Sequence, residues 1–345
     1  MNKTDLRDLS LLETETLAES LGLQRYRGRQ IFHWVYGKAV DSPDLMTDLS
    51  KEDRTLLSQM AYISRLTEVK RQTSGDGTEK YLFVLEDGHR IESVLIPEEE
   101  RLTLCLSTQV GCGMGCTFCL TARGGLVRNL KSSEIINQVL NIQKDLKKET
   151  GITNIVIMGM GEPLANFKNT IKAIEILTHP LGPAIGARRI TLSTSGLAPQ
   201  IKKLGTSSLN INLAISLNGS TDEQRERIMP VNKKYPLSSL LKACREYPLK
   251  RNRMLSFEYV HIDGVNSSPE DAKRVAKLLK GLRCKVNLIP FNEFPASPYK
   301  RPAEASVLAF QEILLDHHYS VFIRKSRGTD ILAACGQLRE EQAII

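Results

Sequence analysis

Along the first 72 residues apolar positions recur at helical spacing, at Leu9, Leu11, Leu12, Leu17 and Leu21 and again at Ile31, Trp34 and Val35, with polar residues between them. Spacing of this kind predicts a small helical domain over 1–72. Between 73 and 100 the period shortens: a Gly75-Asp76-Gly77 turn precedes two runs, 80–84 and 90–96, that flank Asp87-Gly88. These runs predict a β-hairpin linker leading into a main domain. From about 101 onward short β-rich runs at 102–107, 154–158, 189–193, 210–217, 255–262 and 284–289 alternate with helical stretches such as 133–147, 269–279 and 303–315. Six βα units in succession predict an α/β core over 101–318 with a parallel sheet, closed as a full or partial barrel and binding its ligand at the carboxyl ends of the strands. Residues 319–345 are left as a C-terminal segment.

The chain has 345 residues, of which 41% are hydrophobic and 25% charged, and no apolar run approaches bilayer length. Met1-Asn2-Lys3-Thr4-Asp5 leads into a polar helical pattern without the apolar stretch of a secretion signal, so a cytoplasmic monomer without membrane contact is expected. A net charge of +8 favours an anionic partner such as nucleic acid. Seven cysteines are an odd number, and three of them fall within eight positions. In a reducing compartment that crowding indicates metal binding or thiol chemistry in place of a disulfide framework.

The crowded segment is Gly111-Cys112-Gly113-Met114-Gly115-Cys116-Thr117-Phe118-Cys119, a glycine-rich loop just after the first strand of the βα series. A four-iron cluster normally takes four thiolates, so Cys112, Cys116 and Cys119 would leave one iron open. The alternative is a zinc knuckle completed by a distant histidine, whose usual spacing fits poorly. This cysteine spacing resembles the signature of the radical S-adenosylmethionine (SAM) superfamily. In that superfamily the open iron chelates SAM, and a motif like Gly159-Met160-Gly161-Glu162-Pro163 contacts the SAM amino group. Ser193, Ser216-Leu217-Asn218 and Asn292 end proposed strands and are candidate SAM contacts; ordinary turn chemistry is the competing reading for each.

Four motifs in order extend the resemblance over essentially the whole chain. They are the cysteine triad, Gly159–Pro163, Thr191-Leu192-Ser193-Thr194-Ser195-Gly196, and Ala333-Ala334-Cys335-Gly336-Gln337-Leu338. Together they resemble the radical SAM adenine-carbon RNA methyltransferases of the RlmN/Cfr type, and within them the RlmN branch. That resemblance implies a partial (βα)6 barrel, a [4Fe-4S] cluster, and two SAM molecules per methylation, one as methyl donor and one as radical source. The substrate it implies is carbon 2 of an adenine in 23S ribosomal RNA, and of the adenine beside the anticodon in some transfer RNAs; the sister branch attacks carbon 8. It further implies an electron donor such as a flavodoxin or ferredoxin system.

In this family's mechanism Cys335 would take a methyl from SAM, Cys105 would release the product by forming a disulfide with Cys335, and Glu92 would accept the adenine proton. Strand alternation independently turns Cys105 to the same face as Thr103 and Ser107, away from Leu102, Leu104 and Leu106. Cys244 and Cys284 are read as inert buried thiols. For RNA contact, Arg25, Arg27, Arg29, His33 and Lys38 interleave with Tyr26, Phe32, Trp34 and Tyr36, a mixture that suits either base stacking or an amphipathic helix. Arg324, Lys325 and Arg327, near Cys335, are the better candidates for phosphate contact. A basic zinc-dependent RNA-binding module is the alternative that involves no catalysis.

Overall fold

The computed structural model describes residues 3–146 and 151–339. At the start, β1 (Thr4–Asp5) pairs in parallel with β2 (Ala61–Tyr62) and closes a domain of three helices, α1 (Leu11–Ser20), α2 (Arg25–Tyr36) and α3 (Lys51–Met60). Helix α1 begins at a capping box, with the Glu13 amide donating to Ser10 Oγ and the Ser10 amide donating to Glu13 Oε2. Gly28 lets α2 pack tightly on α1, since a Cβ there would lie 2.4 Å from Glu15 Cα.

This domain is docked on the core by polar contacts. Asp8 accepts from Ser132 Oγ and the Ser133 amide, so it caps α5 (Ser132–Asp145) from outside that helix. Arg7, fully buried, donates to Asn137 Oδ1 and the Val40 carbonyl.

The main sheet has ten strands in the order β14-β13-β12-β11-β10-β9-β6-β5-β4-β3. Strands β6 (Arg101–Cys105), β9 (Asn154–Ile157), β10 (Ile190–Thr194), β11 (Asn212–Ser216), β12 (Leu255–His261) and β13 (Cys284–Pro290) are the six expected parallel strands. A seventh, β14 (Ser320–Ile323), pairs in parallel with β13 and lies in the stretch that the sequence had left as a C-terminal segment. Among the described strands the sheet does not close on itself, as a partial barrel requires. Helices α5, α6 (Phe167–Thr178), α7 (Ala198–Gly205), α10 (Leu237–Glu246), α11 (Pro269–Leu278) and α12 (Glu304–Asp316) fill the crossovers, and the short helices α4 (Leu120–Arg123), α8 (Asp222–Ile228) and α9 (Val231–Lys234) lie in loops of the same connections. The expected end of α5 at Lys147 lies outside the described residues.

The linker is more than a hairpin. Strand β3 (Thr67–Thr73) joins β4 (Glu79–Val84) and β5 (Arg90–Glu98), and β5 continues antiparallel into β6, so the linker extends the barrel sheet. The expectation of helix as far as residue 72 is therefore corrected at 67–73. The sequence Thr-Glu-Val-Lys-Arg-Gln-Thr is an exposed edge strand, whose charged residues hide any apolar alternation. Among the described residues no helix is long and apolar enough to cross a membrane.

Candidate functional site

The carboxyl ends of the parallel strands surround one cavity, lined by Cys112, Cys116 and Cys119, by Gly159, Gly161 and Glu162 after β9, by Ser193, Thr194 and Ser195 at β10, and by Ser216 and Asn218 at β11. Glu258 of β12, Asn292 after β13, and Cys335 complete the wall. A second cavity of about 490 Å³ opens where the strands begin, between Leu204–Leu213 and Tyr247–Met254, at the end opposite the cysteines.

The cysteine loop is held by backbone. β7 (Gln109–Gly111) and β8 (Leu126–Asn129) form a ribbon at its base, and the Cys112 amide donates to the Gly125 carbonyl at 2.7 Å. Gly111 has φ +72, and a Cβ on it would fall 2.0 Å from that same carbonyl oxygen, so only glycine fits. Burial pushes the Cys112 thiol up to about 12 and the Cys116 thiol well above its ordinary value, with the neighbouring cysteines adding to both. Among the described residues no three His, Cys, Asp or Glu side chains converge on one point as a single metal ion requires. Three thiols lining one cavity suit a multi-iron cluster, where each thiolate binds its own iron.

Glu162 is buried beside this loop. Its carboxylate accepts from the Ser195 amide at 2.6 Å and the Leu164 amide at 3.0 Å; burial raises its pKa and these donors oppose the rise. Gly161 (φ +103) packs against Gln109, whose Oε1 accepts from the Glu162 amide at 2.8 Å. Ser195 Oγ, also on the wall, is buried with no hydrogen-bond partner among the described residues. A buried carboxylate next to an unpartnered hydroxyl fits the polar end of a ligand such as SAM.

Asn218 is already engaged: it sits at φ +53, its Oδ1 accepts from the Val260 amide and its Nδ2 reaches Met229 Sδ. Leu217 is buried behind the wall, with its amide donating to the Glu258 carbonyl, and is not among the lining residues.

Cys335 sits at the mouth, reached by solvent yet ringed by protein that raises its thiol pKa through burial. Asn292 Nδ2 donates to the Cys335 carbonyl at 3.2 Å. Cys105 is buried, and after desolvation the Cys335 thiol is the chief influence raising its pKa, so the two thiols are electrostatic neighbours. Strand register sets Cys105 opposite Val94, which puts Glu92 on the same face two residues away. Glu92 is buried, 3.0 Å from Lys80 Nζ, and accepts from the Arg339 amide at 2.9 Å; neither it nor Cys105 lines the cavity.

Sequence reasoning missed Arg225. Its guanidinium is fully buried and donates to the carbonyls of Ser195, Ser216 and Leu217, tying together the ends of β10 and β11. Burial lowers its pKa to about 10. Nothing local in Asp222–Ile228 marks it. Glu258 was missed too, although a carboxylate inside the run Leu-Ser-Phe-Glu-Tyr-Val was a readable signal. It hydrogen-bonds Asn287 at 2.7 Å, and burial raises its pKa.

The basic and aromatic mixture of α2 resolves toward packing. Phe32 and Tyr36 are buried, Arg25 and Arg29 both pair with Glu15, and Trp34 Nε1 donates to Asp48. Arg324 and Lys325 are exposed.

Two family models match: the radical SAM superfamily over residues 106–286, and the ribosomal RNA large subunit methyltransferase N-terminal domain over residues 4–63. The dual-specificity RNA methyltransferase RlmN of Syntrophus aciditrophicus is 57% identical over 339 residues, covering 98% of this chain and 97% of that protein. The chain belongs to the RlmN family of radical SAM RNA methyltransferases. The RlmN of Geobacter sulfurreducens is 50% identical over 97% of this chain and 92% of its own length. A crystal structure of a radical SAM methyltransferase from Sphaerobacter thermophilus superposes with a TM-score of 0.92 at 44% identity, covering 98% of this chain and all of that one. Membership in the RlmN family brings a [4Fe-4S] cluster and SAM, two SAM per methylation, and sets aside both the zinc reading and the carbon 8 branch.

Proposed function

We propose that the chain methylates carbon 2 of adenine in 23S ribosomal RNA and in transfer RNA. The observation that carries the reading is the placement of Cys335 on the same cavity as Cys112, Cys116 and Cys119, with Cys105 as its electrostatic neighbour. The three loop cysteines would hold the cluster; Gly161, Glu162, Ser193, Ser216, Asn218 and Asn292 would surround SAM, with Leu217 backing the wall. When bound, the cluster and SAM supply the methyl group and the one-electron chemistry that activates it.

The residues of the chain have three tasks. Cys335 loses its thiol proton and accepts the methyl carbon, which becomes the link to adenine. Glu92, held on the face of Cys105, takes the proton from the adenine carbon. The Cys105 sulfur then attacks the Cys335 sulfur: an S–S bond forms, the S–CH2 bond breaks with its electron pair going to carbon, and that carbon takes up a proton as the methyl of the product. A thiol reductant restores both cysteines.

Residues 1–66 serve as an RNA-binding accessory domain, 67–100 as the antiparallel extension of the sheet, 101–323 as the core, and the segment after β14 carries the methyl. A cytoplasmic monomer served by a flavodoxin or ferredoxin system completes the reading. The test incubates reconstituted protein with SAM, a reductant and protein-free ribosomal RNA or transfer RNA, then identifies methyladenosines by mass spectrometry. 2-Methyladenosine from wild type and none from Cys335→Ala is expected; 8-methyladenosine, or product from Cys335→Ala, overturns the reading.

A further inference from the structure

The segment carrying Cys335 is fastened at two places. After the cysteine, the Gly336 carbonyl accepts from the Leu120 amide at 2.7 Å and the Leu338 carbonyl from Thr121 Oγ1 at 2.5 Å, both just beyond Cys119. Before it, the fastening comes from the far side of the sheet, the turn between β3 and β4. Asp330 accepts from Ser74 Oγ at 2.6 Å and from the Gly75 amide at 3.2 Å. In return Asp76 accepts from the Gly328 amide at 3.0 Å, with Arg327 3.9 Å away. Each side thus offers a carboxylate to the backbone of the other. Lys80 adds a longer contact to the Leu332 carbonyl at 3.5 Å while paired with Glu92.

The backbone between these grips is not relaxed. Gly328 (φ +63) and Leu332 (φ +53) are both left-handed around the short turn Thr329–Ile331, and leucine adopts that conformation only where its surroundings impose it. A Cβ on Gly328 would meet Ala333 Cβ at 2.8 Å and Thr78 Cγ2 at 3.0 Å, so the turn and the segment touch closely here. The bend ends three residues before Cys335.

We propose that the β3–β4 turn, through Asp76 and Asp330, is a clasp that positions the Cys335 segment over the barrel mouth, making these two carboxylates positioning residues for methyl transfer. The role in methyl transfer rests on Cys335 being the methyl carrier; the clasp itself does not. Removing one side frees the segment before Cys335 while the cluster loop and the rest of the SAM wall, which neither carboxylate contacts, stay intact.

The test compares wild type with Asp330→Ala, Asp330→Asn and Ser74→Ala in the reconstituted full-length enzyme. It reads hydrogen exchange over 328–336, melting temperature, SAM cleaved and methyladenine formed. Loss of a carboxylate accepting two hydrogen bonds should raise exchange in that segment about tenfold in Asp330→Ala. Methyl transferred per SAM cleaved should fall by a similar factor, while melting temperature and SAM cleavage hold. Asp330→Asn keeps an acceptor oxygen and should recover most of the loss; Ser74→Ala should fall between. Unchanged exchange overturns the clasp. Faster exchange with an unchanged ratio of methylation to cleavage overturns its positioning role. If wild type never carries a methyl on Cys335, the function proposed above fails while the exchange result still decides the clasp.

Discussion

Lys80 Nζ lies 3.0 Å from Glu92 Oε1 with both side chains buried, so the carboxylate assigned to proton transfer works beside a fixed cation. Removing either partner takes from a buried charge its ionic partner at 3.0 Å. Lys80→Met or Glu92→Gln alone should lower the unfolding free energy by about 3 kcal/mol in urea denaturation, and the double variant by clearly less than the sum. Additive losses would mean the two do not interact.

Cys105→Ala removes the thiol that frees the product. RNA should then accumulate covalently joined to Cys335, as a species on denaturing gels that resists reductant, and repeated turnover should stop. Free methylated RNA at the wild-type rate would remove Cys105 from the mechanism.

At Gly161 the φ of +103 and a Cβ position 2.6 Å from Gln109 Cβ leave no room for a methyl group. Gly161→Ala would push Gln109 from the Glu162 amide and cost about 1–3 kcal/mol of local strain. SAM binding to the reconstituted protein should weaken about tenfold or more by equilibrium dialysis, an effect of about 1.4 kcal/mol.

The cluster thiols predict a pH dependence of the apo-protein. The folded Cys112 thiol is pushed from 9.0 to about 12 by burial, so the fold favours its neutral form. That contribution is fully present below pH 9 and is lost as pH rises from 9 toward 12. Melting temperatures measured across this range should fall in the apo-protein and much less in the cluster-loaded protein, whose thiolates are already deprotonated. A fall of equal size in both forms would locate the titration elsewhere.

The sequence carried the six core strands, because parallel strands buried on both faces read as apolar runs between helical stretches. It also carried the cysteine loop, where residue type and spacing are themselves the signal. It did not carry β3, which lies exposed at a sheet edge, nor Arg225, which reaches from a helix to backbone carbonyls at the ends of two strands. The aromatic residues of α2 were ambiguous for the same reason. Only the packing of α1 and the core around Phe32 and Tyr36 decides which side they take. Long-range partners leave no mark on local sequence.

The pairing of β5 with β6 turns on Glu98 opposite Arg101, with two residues between them. That short turn works as a gauge block for the chemistry. One inserted residue at 99–100 would slide β6 by a step against β5 and rotate Cys105 to the helix-facing side, away from Glu92. The thiol and the carboxylate would both survive in composition, yet no longer share one face of the sheet.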